Sequence, residues 1–268
     1  MIRLVRRAAK AVLAAGDLVL PKLKGPRILI YHQVGTDLGR EMEVTRQDFI
    51  SQLDWMQGIG RIVPFDTALA ARRTEGAEKL FVLTFDDGYR DVYEVAWPLL
   101  RERGLPFLLY VTTAPVESQR PLTNEQAPPL NWDQIGDMLA SGLLTLGAHT
   151  HTHPDLRRCT SDEIERELAI CDEAIERRVS ERPRHFAYPW GYWSSEADRL
   201  TRLRYSTAAL GAPVTADPVG DDHLVFRLPV QRSDSGAIFR GRLRSGLRLE
   251  EMVRRRVRNY APEYDHPS

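Results

Sequence analysis

Short apolar runs recur along the chain near residues 27–31, 80–85, 107–112, 143–147, 184–188, 205–209 and 225–230. Each is strand-length, rich in β-branched, aromatic or aliphatic residues and closed by turn residues, the pattern of a strand covered on both faces. Helical spacing fills most of the intervals. Thr160 with Glu163 reads as a capping box, after which Ile164, Leu168, Cys171 and Ile175 mark one apolar face. Thr45 with Asp48 opens another helix, whose buried side carries Phe49, Leu53 and Met56. Strands alternating with helices predict parallel β/α units. No repeat or long low-complexity tract divides the chain, and 268 residues suffice for one deep core. The expected organisation is a basic amphipathic helix over residues 1–24, one α/β domain over 25–240, and a basic helix and tail over 241–268.

Three strand ends carry chemistry. The run Leu80 to Phe85 stops at Asp86-Asp87-Gly88-Tyr89. A continuing strand would send the two carboxylates to opposite faces, so the backbone has to bend, and Gly88 permits it. Once bent, one carboxylate can ligate a metal while the other takes a proton from water. The run from Leu143 is followed by His149-Thr150-His151-Thr152-His153, three of the chain's seven histidines in five positions. His149, His153 and one carboxylate would supply three ligands and leave a coordination position open, as a catalytic ion requires, with His151 pointing elsewhere. The third, Phe186-Ala187-Tyr188-Pro189-Trp190-Gly191, is a strand entering a turn. The amide of Trp190 can face an oxyanion, and the rings of Tyr188, Trp190 and Trp193 can offer flat walls to a sugar. Strand-end sites of this kind are what a β/α barrel builds.

The order Thr-Phe-Asp-Asp-Gly, His-Thr-x-x-His-Pro, Phe-x-Tyr-Pro-x-Gly resembles the polysaccharide deacetylases of carbohydrate esterase family four, from about Gly25 to Asp234. The resemblance implies a distorted (β/α) barrel of fewer than eight strands, here about seven, parallel and in a single domain. It also implies Asp86 as general base, Asp87, His149 and His153 as metal ligands, and a Trp190 amide in the oxyanion hole. Tyr188, Pro189, Trp190 and Trp132 are the expected substrate contacts. Zinc is the expected ion, with cobalt, nickel or iron also compatible, and the expected partner is an N-acetylated sugar polymer or oligomer. Two departures stand out. Many members carry an arginine where Ala187 stands, and Arg90, Arg184, Arg227 and Arg232 are the candidates for its role. Many also end in Leu-x-His, whereas the stretch after Phe226 has no histidine. An apolar strand near the start, Arg27 to Tyr31, does end in one, His32. In a closed ring the first and last strands are neighbours, so the resemblance is to the circularly permuted branch that includes bacterial poly-N-acetylglucosamine deacetylases. His32 is then the expected general acid, an imidazole titrating near ~6.5 when unperturbed. The same motifs are also compatible with an O-acetyl esterase or another C–N hydrolase on a small or lipid-linked sugar, and with a silent glycan-binding barrel.

Charge changes the picture only locally. The chain holds 37 basic and 37 acidic side chains, which gives no global field for nucleic acid. Arg3, Arg7 and Lys10 share one helical face and Val5, Ala9 and Val12 another, so peripheral membrane contact is one expectation for the N-terminal helix and packing on the barrel the other. Gly16-Asp17 interrupts that apolar stretch, which fits a secretory signal poorly, and no run approaches the ~20 apolar residues of a membrane span. A cytoplasmic or membrane-peripheral location is therefore expected over secretion. Cys159 and Cys171 flank or share one helix about 18 Å apart along its axis, beyond disulfide reach.

Overall fold

The computed structural model describes residues 10, 12–13, 23–36, 38–122, 127–211, 221–234, 236–246 and 248–249. Most of the expected N-terminal helix and most of the expected C-terminal helix and tail lie outside these residues. The described helix Gly236–Ser245 crosses the boundary expected at residue 240.

Seven parallel strands close a barrel: β1 (Arg27–Tyr31), β5 (Leu80–Phe85), β6 (Phe107–Val111), β7 (Leu144–Ala148), β8 (His185–Ala187), β9 (Thr207–Gly211) and β10 (Leu224–Pro229). β1 lies between β5 and β10, pairing Ile30 with Thr84 on one side and Leu29 with Leu228 on the other. First and last strands are thus neighbours. The distortion is visible at β5, whose first residues Leu80 and Phe81 pair with the short β4 (Arg61–Ile62) while Thr84 and Phe85 pair with β6. β7 and β8 meet only at Ala148 and Phe186. Two further short strands, β2 (Gln33–Val34) and β3 (Glu43–Val44), pair in parallel beside the end of β1.

Strand parity decides what faces the centre. Ile28, Val82, Leu108, Tyr110, Ala187, Ala209 and Val225 form an inner cluster with Val63, Phe65 and Ala68, so the helix Phe65–Ala71 closes one end of the barrel. The opposite parity, including Leu29, Leu83, Phe85, Leu109, Leu146 and Phe186, packs outward against the helices. Helix Ser161–Val179 starts at the expected capping box, with Thr160 and Glu163 bonded reciprocally, and buries Ile164, Leu168, Cys171 and Ile175. Helix Arg46–Ile59 starts at Thr45, whose side chain accepts from the Asp48 amide. Lys10, expected on a basic face, is instead 3 % exposed and bonded to Gln231 at 2.6 Å and Asp234 at 2.9 Å. A primary ammonium held by a buried carboxylate cannot also contact a membrane. Among the described residues no helix is long and apolar enough to cross a bilayer.

Candidate metal centre and catalytic site

Asp86 continues the inward parity of Val82 and Thr84, so it arrives at the mouth of the barrel. The chain then turns within three residues: the Gly88 amide donates to the Asp86 carbonyl at 2.9 Å around Asp87, whose φ is 72°. This is a γ-turn of the strained, positive-φ kind. Gly88 follows with φ 87°, and a Cβ there would lie 3.1 Å from Val111. The bend therefore falls on Asp87 itself as well as on the expected glycine. It delivers the adjacent carboxylates to one pocket with different partners.

Asp87 Oδ1 is buried, accepts no hydrogen bond among the described residues, and faces His149 Nε2 at 3.4 Å and His153 Nε2 at 3.3 Å. His149 follows β7 directly, and its Nδ1 lies 2.7 Å from the Ala187 carbonyl. A carbonyl only accepts, so Nδ1 carries the proton and the Nε2 lone pair points at Asp87. Three donor atoms of these residues lie within 4.8 Å of one another. An orphaned carboxylate oxygen and two inward Nε2 atoms fit a divalent cation, three protein ligands leaving room for exogenous oxygen. Burial alone would raise the Asp87 pKa, but the same imidazoles in their protonated forms, His149 first, hold it well below the carboxylate range. Burial, with His149 and His32, lowers His153 to about 4 against the pull of Asp87, so its imidazole is neutral and available as a ligand at neutral pH. His151 turns away and shares a hydrogen bond with Thr113 at 2.9 Å.

Asp86 is held off this group by Arg227. The guanidinium meets the carboxylate in a two-pronged pair at 2.7 and 2.8 Å and also bonds Thr84 at 2.9 Å. Burial would raise the Asp86 pKa, but Arg227, then His149 and His32, outweigh it and keep the carboxyl ionised below its ordinary value. Arg227 is 1 % exposed, and its Cζ lies 4.8 Å from the Tyr110 ring centroid. It stands on β10, two strands round the barrel from Ala187, whose small side chain belongs to the same inner cluster. The three remaining arginines are engaged elsewhere: Arg90 with the Pro129 carbonyl, Arg184 with Asp66 and Arg232 with Glu43. The parity of β10, which turns Val225 and position 227 inward together, is the signal in the sequence that distinguishes Arg227 from them.

His32 leaves the end of β1 half-buried, and among the described residues its buried Nδ1 has no hydrogen-bond partner. Trp190 adopts φ 63°, is 58 % exposed, and places its ring 5.0 Å from that of His153. The amides of Gly191 and Tyr192 beside it are taken by the carbonyls of Tyr188 and Pro189. Two of the residues expected to contact sugar lie inside the fold. Tyr188 is fully buried, its hydroxyl held by Thr201 at 2.9 Å, because outward parity on leaving β8 sends it into the core; Pro189 is buried as well. Trp132 opens helix Trp132–Ala140, partly buried, with Arg178 over its ring at 6.0 Å and its indole N–H without a partner among the described residues.

Comparison with known proteins gives the family and the fold. The polysaccharide deacetylase family model matches residues 73–208, just over half of the chain. The putative polysaccharide deacetylase YxkH of Bacillus subtilis is 23% identical over 216 residues, 79% of this chain and 74% of that protein. A chitooligosaccharide deacetylase of Sinorhizobium fredii is 31% identical over 150 residues, 55% of this chain and 58% of that protein. The structure of IcaB from Ammonifex degensii superposes with a TM-score of 0.70 and 28% identity, covering 82% of this chain and 96% of that one. The chain belongs to the polysaccharide deacetylase family.

Proposed function

We propose that the protein hydrolyses N-acetyl groups of amino sugars within an oligosaccharide or polysaccharide, with a divalent cation, zinc by default, held by Asp87, His149 and His153. The observation that carries this reading is the division of labour between neighbouring carboxylates: Asp87 meets two imidazoles while Asp86 is clamped by Arg227. A cation at the first group supplies Lewis acidity toward the acetyl carbonyl and lowers the pKa of water. Asp86, ionised and oriented, takes the proton from the attacking water. In this reading the Trp190 amide serves the oxygen that gains charge, a role supported by the exposed indole beside His153, which gives the sugar ring a face. His32 then hands a proton to the departing amine, and acetate leaves. The substrate class is supported by the chitooligosaccharide deacetylase similarity and by the likeness to IcaB.

The test is acetate and free-amine release from N-acetylglucosamine oligomers by zinc-loaded protein, with O-acetylated sugars as comparison. Asp86→Asn should lower turnover by at least about 10²-fold with zinc retained, whereas His149→Ala should lose zinc and turnover together. His32→Ala should lower kcat with zinc retained. An active Asp86→Asn enzyme, or acetate release confined to O-acetylated sugars, overturns the reading.

A further inference from the structure

The five residues from His149 to His153 hold an unusual backbone. Thr150 has φ 65° and His153 φ 62°, both in the left-handed region, where a β-branched threonine is a rare occupant. Such a conformation persists only if its surroundings fix it. On the carbonyl side, the amides of Thr113 and Ala114, opening helix Thr113–Ser118, donate to the oxygens of Thr150 at 3.3 Å and His151 at 2.9 Å. On the amide side, the His153 N–H donates to Thr150 Oγ1 at 3.1 Å. The His149 N–H donates to the Val111 carbonyl at 3.0 Å, and those of His151 and Thr152 converge on one acceptor, Glu167 Oε2, at 2.9 and 2.8 Å, while the Thr152 hydroxyl donates to Oε1 at 2.7 Å. Consecutive amides after a left-handed residue form a concavity suited to an anion, and here a carboxylate of the protein fills it.

Glu167 stands on helix Ser161–Val179, whose position is fixed by its buried face and by Asp172, bonded to the Tyr205 hydroxyl at 2.7 Å. The geometry points to Glu167 as the positioning residue of the metal centre, a carboxylate that touches neither the cation nor the substrate and sets the left-handed turn that aims His153 at Asp87 and His149. The inference rests on Asp87, His149 and His153 being metal ligands. Unpartnered, the two amides would turn toward water, and the strained φ angles of Thr150 and His153 would relax and carry the His153 imidazole off the shared point.

Zinc affinity of the full chain, measured by competition with a chromophoric chelator, tests this. Glu167→Ala should weaken zinc binding by about 10- to 100-fold, the scale seen when a residue that orients a ligand is removed. Glu167→Gln, which keeps an acceptor oxygen for the two amides, should fall between Glu167→Ala and the native protein. Glu163→Ala, one turn earlier on the same helix, removes the capping box and leaves the loop contacts, so it should lower the melting temperature of the metal-free protein and leave zinc affinity within about twofold. Glu167→Ala binding zinc within twofold of the native chain overturns the inference, as does Glu163→Ala weakening zinc as much as Glu167→Ala does. If the native chain takes up no stoichiometric zinc, or His149→Ala keeps it, the metal-site reading itself fails and the inference with it.

Discussion

Arg227 and Asp86 form a buried ion pair whose value depends on both members being present. Taking one partner away leaves the other as an uncompensated charge in the barrel, at a cost of ~3–5 kcal/mol. Arg227→Met should therefore destabilise the protein by about that much in urea unfolding, and Asp86→Asn combined with Arg227→Met should recover a large part of the loss; additive losses would mean that the pair is not coupled. Arg227→Lys separates charge from geometry. An ammonium cannot reproduce two parallel N–H donors, and a hydrogen bond to a charged group is worth ~1.5–3 kcal/mol. Its kcat should drop by about tenfold or more with zinc affinity unchanged. Asp87, by contrast, sits at φ 72°, strain located on a metal-ligand candidate, where over-determined backbone is common.

The segment from Asp91 to Ala96 joins the Asp86-Asp87 turn to the outer layer, and Asp91 Oδ2 accepts the amide of Val34, two residues beyond His32. Burial, with Glu43 and Glu94 nearby, raises Asp91 to about 7 from an ordinary 3.8, against the hydrogen bonds from the Val34 and Asp91 amides. The folded state then binds this proton more tightly than the unfolded chain, so the stability it contributes is full below 3.8 and is lost as pH rises toward about 7. Asp91→Asn should flatten that dependence and be more stable than the native protein at pH ~8, the difference closing near pH ~4 in urea midpoints. A native stability that does not decline across this interval would contradict the burial argument. The longer elements themselves were legible in sequence for a simple reason. Strands covered on both faces are continuous apolar runs, and the helices at Thr45 and Thr160 carry caps with local chemistry. Two-residue pairings such as Gln33–Val34 with Glu43–Val44 are too short to show a period. Side-chain direction was harder to read, because it depends on barrel parity: Tyr188 lies one residue beyond β8 and goes to the core, while Arg227, in an apolar strand, turns inward to the base.

Closure of the barrel sets the position of His32, because β1 reaches the site only as the neighbour of β5 and β10. The described ends of the chain are tied at this seam. Asp234, just after β10, accepts from Lys10 at 2.9 Å, from Arg242 at 2.9 and 3.0 Å, and from the Gln231 amide at 3.0 Å. Burial would raise its pKa, but Arg242 and Lys10 hold it below the usual carboxylate value, so its stabilising effect is present above ordinary carboxylate pKa and is lost as pH falls below it. Asp234→Ala removes the carboxylate shared by two buried cations, a loss of ~3–5 kcal/mol. If the seven strands are one cooperative unit, the lowered transition should remain single and coincide in far-ultraviolet and near-ultraviolet circular dichroism. A variant in which the β1 seam opens first, with tyrosine and tryptophan signals melting ahead of the backbone signal, would show instead that the ends are a separable latch on an otherwise stable sheet.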